Sequence, residues 1–213
     1  AYFAPVLGGS QYLPPTATSN TRIETTHEWY DLGSFGHEYA HALDYFTHPP
    51  SGRTYQSQSG ALMESTANIL SEYFVNYIVG SNNWMIQFTN YSHGSNEYMR
   101  GFQVVMSDPW MDASIYGMYG DPKNLYGRDY YCGSTAVDNG GVHANSYPIS
   151  YAAYLLTHGG YFNNCTINPI GLEAVGAIWY RANGYYSASA NFAEAFLDLQ
   201  QAAADLYPSN VVA

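Results

Sequence analysis

A mainly α-helical lobe, interrupted by one long irregular segment, is the fold class this sequence predicts. Three features point to it. Apolar residues recur at helical spacing in five stretches. Glycine or proline follows four of them as a natural stop. Between the second and third stretches lies a run, residues 81–142, rich in Gly, Asn, Asp and Tyr, which reads as loops and short turns.

Taken in order, residues 1–32 carry Gly8-Gly9 and Pro14-Pro15 with little helical periodicity, and read as loop with room for a strand. They are set apart from a helical domain over 33–213. The first helix is expected from Gly33 to Thr47, where Phe35, Tyr39, Ala42, Leu43 and Phe46 share a face and Pro49-Pro50 ends the element. A second is expected from Gly60 to Ile78, stopped by Gly80. Helix returns over Ala144–Thr157, closed by Gly159-Gly160. Two more fit Pro169–Ala182 and Asn191–Leu206, with Gly184 between them.

Composition narrows the partners. With 213 residues and 46% hydrophobic content the chain is long enough to bury a core. Only 11% of residues are charged, while Tyr (23) and Gly (20) are abundant, a balance that suits an extracellular protein. The formal charge of −11 would repel a phosphate backbone, so nucleic acid is excluded as the expected partner. No apolar run approaches the roughly 20 residues needed to span a bilayer, so no membrane is expected either. Outside the cell the only two cysteines, Cys132 and Cys165, are expected to pair. Asn90-Tyr91-Ser92 and Asn164-Cys165-Thr166 fit the glycosylation sequon.

His37-Glu38-Tyr39-Ala40-His41 is a His-Glu-x-x-His motif. On a helix, residues four apart lie on one face, so both imidazoles can reach one Zn2+ ion. Glu38 stands beside them, where a base could take a proton from a water. A catalytic zinc needs a third protein ligand, and Glu64, near the start of the second helix, is the candidate. Read blandly, Glu64 is a first-turn glutamate favoured by the helix dipole. His27, His48, His93 and His158 have no comparable context and read as surface or packing residues.

Longer blocks carry a resemblance. Gly60-Ala61-Leu62-Met63-Glu64-Ser65, Met106-Ser107-Asp108-Pro109, Tyr119-Gly120-Asp121-Pro122, and Asp138-Asn139-Gly140-Gly141-Val142-His143-Ala144-Asn145-Ser146 occur in that order. Trp179-Tyr180-Arg181-Ala182, Asn191-Phe192 and Asp205-Leu206-Tyr207 follow. From about Gly33 to Tyr207 the chain resembles the thermolysin-like zinc metallopeptidases. The resemblance implies the helical lobe of such an enzyme, with most of the family's N-terminal β-rich lobe outside this chain. It implies His37, His41 and Glu64 as zinc ligands and Glu38 as general base. It also implies His143 as oxyanion stabiliser, Asp138 as the carboxylate orienting that histidine, and Tyr55 as a second oxyanion donor. Polypeptide substrates, secretion, and a possible separate chain carrying the missing lobe follow as expectations.

The sequence departs from the family at several points. Asn68 stands where relatives carry an Asp that bonds a ligand histidine, which keeps an acceptor and loses a charge. Val104 occupies the position of the arginine that grips the substrate carbonyl, with Arg100 nearby but not aligned. Ile86 falls where relatives line the pocket for an apolar residue. Gly33, Val75, Asn83, Met85 and Phe88 fall at acidic positions of the family's paired calcium site, so no double calcium site is expected. The alternative to a secreted endopeptidase is a non-catalytic relative serving as a binding or assembly module. Val104 and the missing lobe favour that alternative; retained Glu38, Asp138 and His143 oppose it.

Overall fold

The computed structural model describes residues 11–14, 16, 22–24, 32–48, 52–88, 102–106, 125 and 130–209. Its axis is the long helix α2 (Ser57–Val79), whose residues from Ser59 to Glu72 are nearly all buried. Ala61, Leu62 and Ile69 reach 1% exposure or less and join Trp179, Tyr186, Phe192 and Ala195 in one core. Complete burial of side chains such as Leu62 and Ile69 stabilises the fold by about 1.5–3 kcal/mol each.

Helix α1 (Leu32–Thr47) lies along one side of α2. Small residues set the closeness of that contact. A Cβ on Gly36 would stand 3.0 Å from both Phe74 and Ser71, so glycine lets the two backbones approach. Ser71 Oγ donates to the Gly33 carbonyl at 2.5 Å, closing the seam at the α1 N-terminus. A short hairpin, β1 (Gln11–Leu13) with β2 (Arg22–Glu24), sits against α1, with the rings of Tyr12 and Tyr45 6.0 Å apart.

The other helices surround α2 on its remaining faces. A four-residue turn labelled α3 (Asp138–Gly141) and a single 3-10 turn (Ala144–Ser146) lead into α4 (Tyr147–His158). Then come α5 (Leu172–Asn183) and α6 (Phe192–Leu206). Asn191 and Glu194 form a reciprocal capping box at the start of α6, an arrangement that contributes about 1 kcal/mol. Gly80 ends α2 in the left-handed conformation (φ 75°), with its N–H on the Asn76 carbonyl.

The helix expectations hold to within a few residues. α2 begins at Ser57 rather than Gly60, α4 at Tyr147 rather than Ala144, and α5 at Leu172 rather than Pro169. The irregular reading of 81–142 needs correction. That segment holds an antiparallel hairpin, β3 (Met85–Phe88) with β4 (Phe102–Val105), in which Ile86 stands opposite Val104. Four-residue strands are too short to display a period. The hairpin is fastened at its base, where Met106 N–H donates to the Trp84 carbonyl at 2.9 Å and Trp84 is 2% exposed. A third hairpin, β5 (Gly160–Phe162) with β6 (Cys165–Ile167), follows α4.

The expected Cys132–Cys165 disulfide is not formed. Both thiols are free and exposed, one in the loop before α3 and the other on β6. The expectation rested on compartment alone. Pairing also needs Cα atoms within about 7 Å, which composition cannot establish. Pro49-Pro50, the Asn90 sequon, Arg100 and the Ser107–Pro109 and Tyr119–Pro122 blocks lie outside the described residues. Among the described residues no helix is long and apolar enough to cross a membrane.

Candidate metal centre and catalytic site

His37 and His41 project from the same face of α1, four residues apart, and α2 brings Glu64 against them. The three ligand atoms lie within 4.8 Å of one another. His37 Nε2 is 3.3 Å from Glu64 Oε2, His41 Nε2 is 3.3 Å from Glu64 Oε1, and the two imidazole nitrogens are 3.0 Å apart. A tetrahedron with arms of about 2.0–2.1 Å has edges of about 3.3 Å. The donor set thus fits a zinc ion in both chemistry and spacing, with a fourth direction left to the cleft. No cysteine takes part.

The surroundings prepare these ligands. Asn68 Oδ1 can only accept, so the 2.9 Å contact puts the proton on His37 Nδ1 and leaves the Nε2 lone pair for a metal. Asn68 is itself held by Ser150 Oγ at 3.4 Å. Burial would raise the Glu64 carboxyl, but the neighbouring His143 and His41 imidazoles hold it well below the usual carboxylate range. Burial would also lower His41, and the Glu64 carboxylate reverses this, raising it above its ordinary value.

Glu38 is 5% exposed, on the turn of α1 between the two histidines. Burial pushes its carboxyl above the usual range, with His37 and His41 opposing, and the main-chain N–H of Tyr12 on β1 hydrogen-bonds it. A carboxylate with a raised pKa is a stronger base. Tyr12 is a contributor the sequence left unmarked, since residues 1–32 carry no pattern that would single it out.

The opposite wall comes from the turn after α3. His143 Nδ1–H donates to Asp138 Oδ1 at 2.5 Å, and His143 main-chain N–H donates to Asp138 Oδ2 at 3.0 Å. Burial would lower the imidazole, but the Glu64 and Asp138 carboxylates carry it up to about 9. The protonated ring then has a second N–H, on Nε2, which faces the Tyr55 oxygen at 3.3 Å. Tyr55, itself 37% exposed, in turn donates to Glu64 Oε1 at 2.5 Å, and loss of water around its hydroxyl together with that carboxylate raises its pKa. Glycine again allows the approach: a Cβ on Gly60 of α2 would stand 2.4 Å from Val142 Cγ1, one residue before His143.

All seven residues singled out in the sequence therefore meet at one place. His37, Glu38, His41, Tyr55, Glu64 and His143 line a cavity of about 440 Å³, and Asp138 stands behind His143. The cavity continues along Tyr12, Tyr45 and Met63 to a buried pair that the sequence did not reveal. There Arg53 donates to Asp44 Oδ1 at 3.1 Å and lies under the Tyr186 ring, 4.8 Å from its centre. Val104 and Ile86 are placed opposite one another in the β3–β4 hairpin. The Gly33 carbonyl accepts from Ser71 Oγ, and Glu72, 1% exposed, accepts the Trp84 N–H at 3.0 Å.

A helix bearing His-Glu-x-x-His, faced by a glutamate from a second helix, is the donor arrangement of zinc metallopeptidases. Residues 51–212 match the thermolysin metallopeptidase alpha-helical domain, and the chain belongs to that family. It is 40% identical to a bacillolysin of Bacillus cereus over 177 residues, covering 82% of this chain and 28% of that protein. It is 38% identical to a thermolysin of Alicyclobacillus acidocaldarius over 175 residues, covering 82% of this chain and 29% of that protein. The chain thus spans less than a third of these relatives' length. The precursor of protealysin, a metalloproteinase from Serratia proteamaculans, shares the fold at a TM-score of 0.58 and 24% identity, covering 82% of this chain and 52% of the other.

Proposed function

We propose that the chain is the zinc-binding helical part of a secreted endopeptidase that hydrolyses polypeptides, with His37, His41 and Glu64 as the metal ligands. The observation that carries this reading is the convergence of three ligand atoms within 4.8 Å beside a buried carboxylate and a carboxylate-held imidazole. A zinc ion at that place supplies the Lewis acidity that polarises a carbonyl and acidifies a water. Glu38, raised by burial, takes the proton from the attacking water and passes it to the leaving amine. His143 Nε2–H donates to the oxygen that gains charge, and Asp138 keeps the ring protonated and fixed in orientation. Tyr55, whose hydroxyl lies 3.3 Å from His143 Nε2, is the second donor to that oxygen.

Family membership and the relatives' names support peptide hydrolysis, and the site's chemistry is of the kind that reaction needs. Secretion rests on the tyrosine-rich, charge-poor composition. Glu38→Gln, in zinc-loaded protein, tests the reading. It is expected to retain the metal and to lose casein hydrolysis by several orders of magnitude. Undiminished hydrolysis by that variant would overturn the assignment of the base. The second reading, a non-catalytic binding or assembly module, is favoured by Val104 at the family's arginine position. It predicts bound zinc with no hydrolysis by the parent protein.

A further inference from the structure

The residues of α3 adopt a backbone that the chain does not reach without help. Asp138, Asn139, Gly140 and Gly141 have φ of 47°, 47°, 89° and 80°, four successive residues in the left-handed region. Most residues with a Cβ pay roughly 1–2 kcal/mol in that region; Asp and Asn enter it more readily because their short side chains hydrogen-bond locally, so this turn depends on the bonds made around it. The two glycines have no alternative to being glycine. A Cβ on Gly141 would meet Tyr131 at 2.7 Å and Asn145 at 3.0 Å, and one on Gly140 would meet Ser57 at 2.7 Å. This turn carries Asp138, and with it the two bonds that hold His143.

Local hydrogen bonds hold the top of the turn: Gly140 N–H to the Val137 carbonyl and Val142 N–H to the Asp138 carbonyl, both at 2.9 Å. Its base is closed by one side chain. Asn145, 2% exposed, accepts from Tyr131 N–H at 2.9 Å and donates through Nδ2 to the Tyr131 carbonyl at 2.9 Å. The amide imitates one rung of an antiparallel ladder, joining the two ends of the 131–145 loop across the turn. Both of its polar ends are used, and both main-chain groups of Tyr131 are satisfied by it. The Tyr131 ring, fixed by its hydroxyl on the Ser134 carbonyl at 3.0 Å, fills the space that a Gly141 side chain would need.

We infer that Asn145 is a positioning residue for the Asp138–His143 pair: by clasping the Tyr131 backbone it holds the left-handed turn that aims the Asp138 carboxylate at His143. It touches neither the cavity nor a metal ligand, and it acts through Asp138. The inference deepens the proposed function, because the pair it serves is the one assigned to the oxyanion. Loss of the clasp lets the turn relax. A displacement of about 1 Å at a catalytic group costs up to about 10²-fold in rate.

Two readouts on Asn145→Leu, a variant of similar size without polar atoms, separate this inference from the reading beneath it. The first needs no turnover: the proton NMR signal of His143 Nδ1–H in the zinc-loaded protein. It is expected well downfield in the parent, and lost or moved upfield in Asn145→Leu at unchanged zinc content. The second is a pair of kinetic comparisons. Asn145→Leu is expected to lower kcat by about 10–10²-fold with KM little changed, and to have no further effect in a His143→Ala background. Should Asn145→Leu not fold, Asn145→Asp keeps the shape and the bond from Tyr131 N–H while placing a carboxylate against the Tyr131 carbonyl, and is expected to shift the same signal. An unaltered His143 proton in the folded variant overturns the inference, as does an equal loss of rate with and without His143. A parent protein that hydrolyses nothing overturns the peptidase reading alone, and the NMR comparison still decides the role of Asn145.

Discussion

Replacing Asp138 by Asn changes one charge at the end of the site while keeping its shape. In the parent, Asp138 accepts from the Nδ1–H and the main-chain N–H of His143, at 2.5 and 3.0 Å, and with Glu64 carries the imidazole to about 9. Burial alone would lower the imidazole, so the raised value is owed to Glu64 and Asp138 together. The Asp138 share persists when Glu64 is engaged by a metal. An adjacent opposite charge moves a pKa by about 1–3 units, so loss of the Asp138 charge moves the midpoint of His143 protonation down by about that much. On the alkaline side of both midpoints the protonated fraction falls by about 10–10³-fold, whereas at the acid end of the range both proteins stay protonated. The sign follows from protonated His143 being the donor: its contribution is present below its pKa and lost above it. The assay is kcat/KM for a peptide from pH 5 to 10 at verified zinc content. The alkaline limb is expected to move to lower pH, with little change at the acid end. A uniform loss across the range would show that Asp138 does not act through the protonation of His143.

Other variants probe the scaffold and the ligands. Gly60→Ala drives a methyl to 2.4 Å from Val142 Cγ1. It is expected to destabilise by about 1–3 kcal/mol, read as a lower midpoint in denaturant unfolding. Asn68→Asp places a carboxylate on His37 Nδ1–H in place of the amide at 2.9 Å. Zinc affinity is expected to rise by about tenfold or more in competition with a chromophoric chelator, and an unchanged affinity would show that Asn68 already does all that a carboxylate would. Because Gly33 and Val75 fall at acidic positions of the family's calcium pair and Glu72 is engaged by Trp84, millimolar calcium is expected to leave Tm within about a degree. A steep rise would refute that.

The helices were legible because each is long enough to show its period and is bounded by a breaker. Phe35, Tyr39, Leu43 and Phe46 give α1 its period, although the face it buries runs through Gly33, Gly36, His37, Ala40 and Asp44, and Gly80 ends α2 in the left-handed conformation that only glycine adopts freely. The strands were not legible, being three or four residues long. The β5–β6 hairpin did carry a signal: Asn163 and Asn164 both take positive φ, 48° and 62°, as a two-residue hairpin turn of this type requires. In the site, the His37–His41 spacing speaks for itself, whereas Glu64, His143 and Asp138 were found through their motifs. The Asp44–Arg53 pair, and the contact of Asn145 with Tyr131, went unmarked, although Asn145 itself stands in the block quoted around His143, because each contact is made by the fold and has no local period. The cysteine pairing failed for a related reason, since thiol count says nothing of where the fold puts a loop and a strand.

An open zinc site with two imidazoles and one carboxylate is the centre of the proposed chemistry. X-ray absorption at the zinc edge on the purified, metal-loaded protein tests it most directly. Nitrogen and oxygen neighbours are expected at about 2.0–2.2 Å, with two imidazoles from His37 and His41, no sulfur shell, and the two imidazoles reduced to one in His41→Ala. A sulfur shell at about 2.3 Å, four protein ligands closing the site, or a spectrum unchanged by His41→Ala would contradict it.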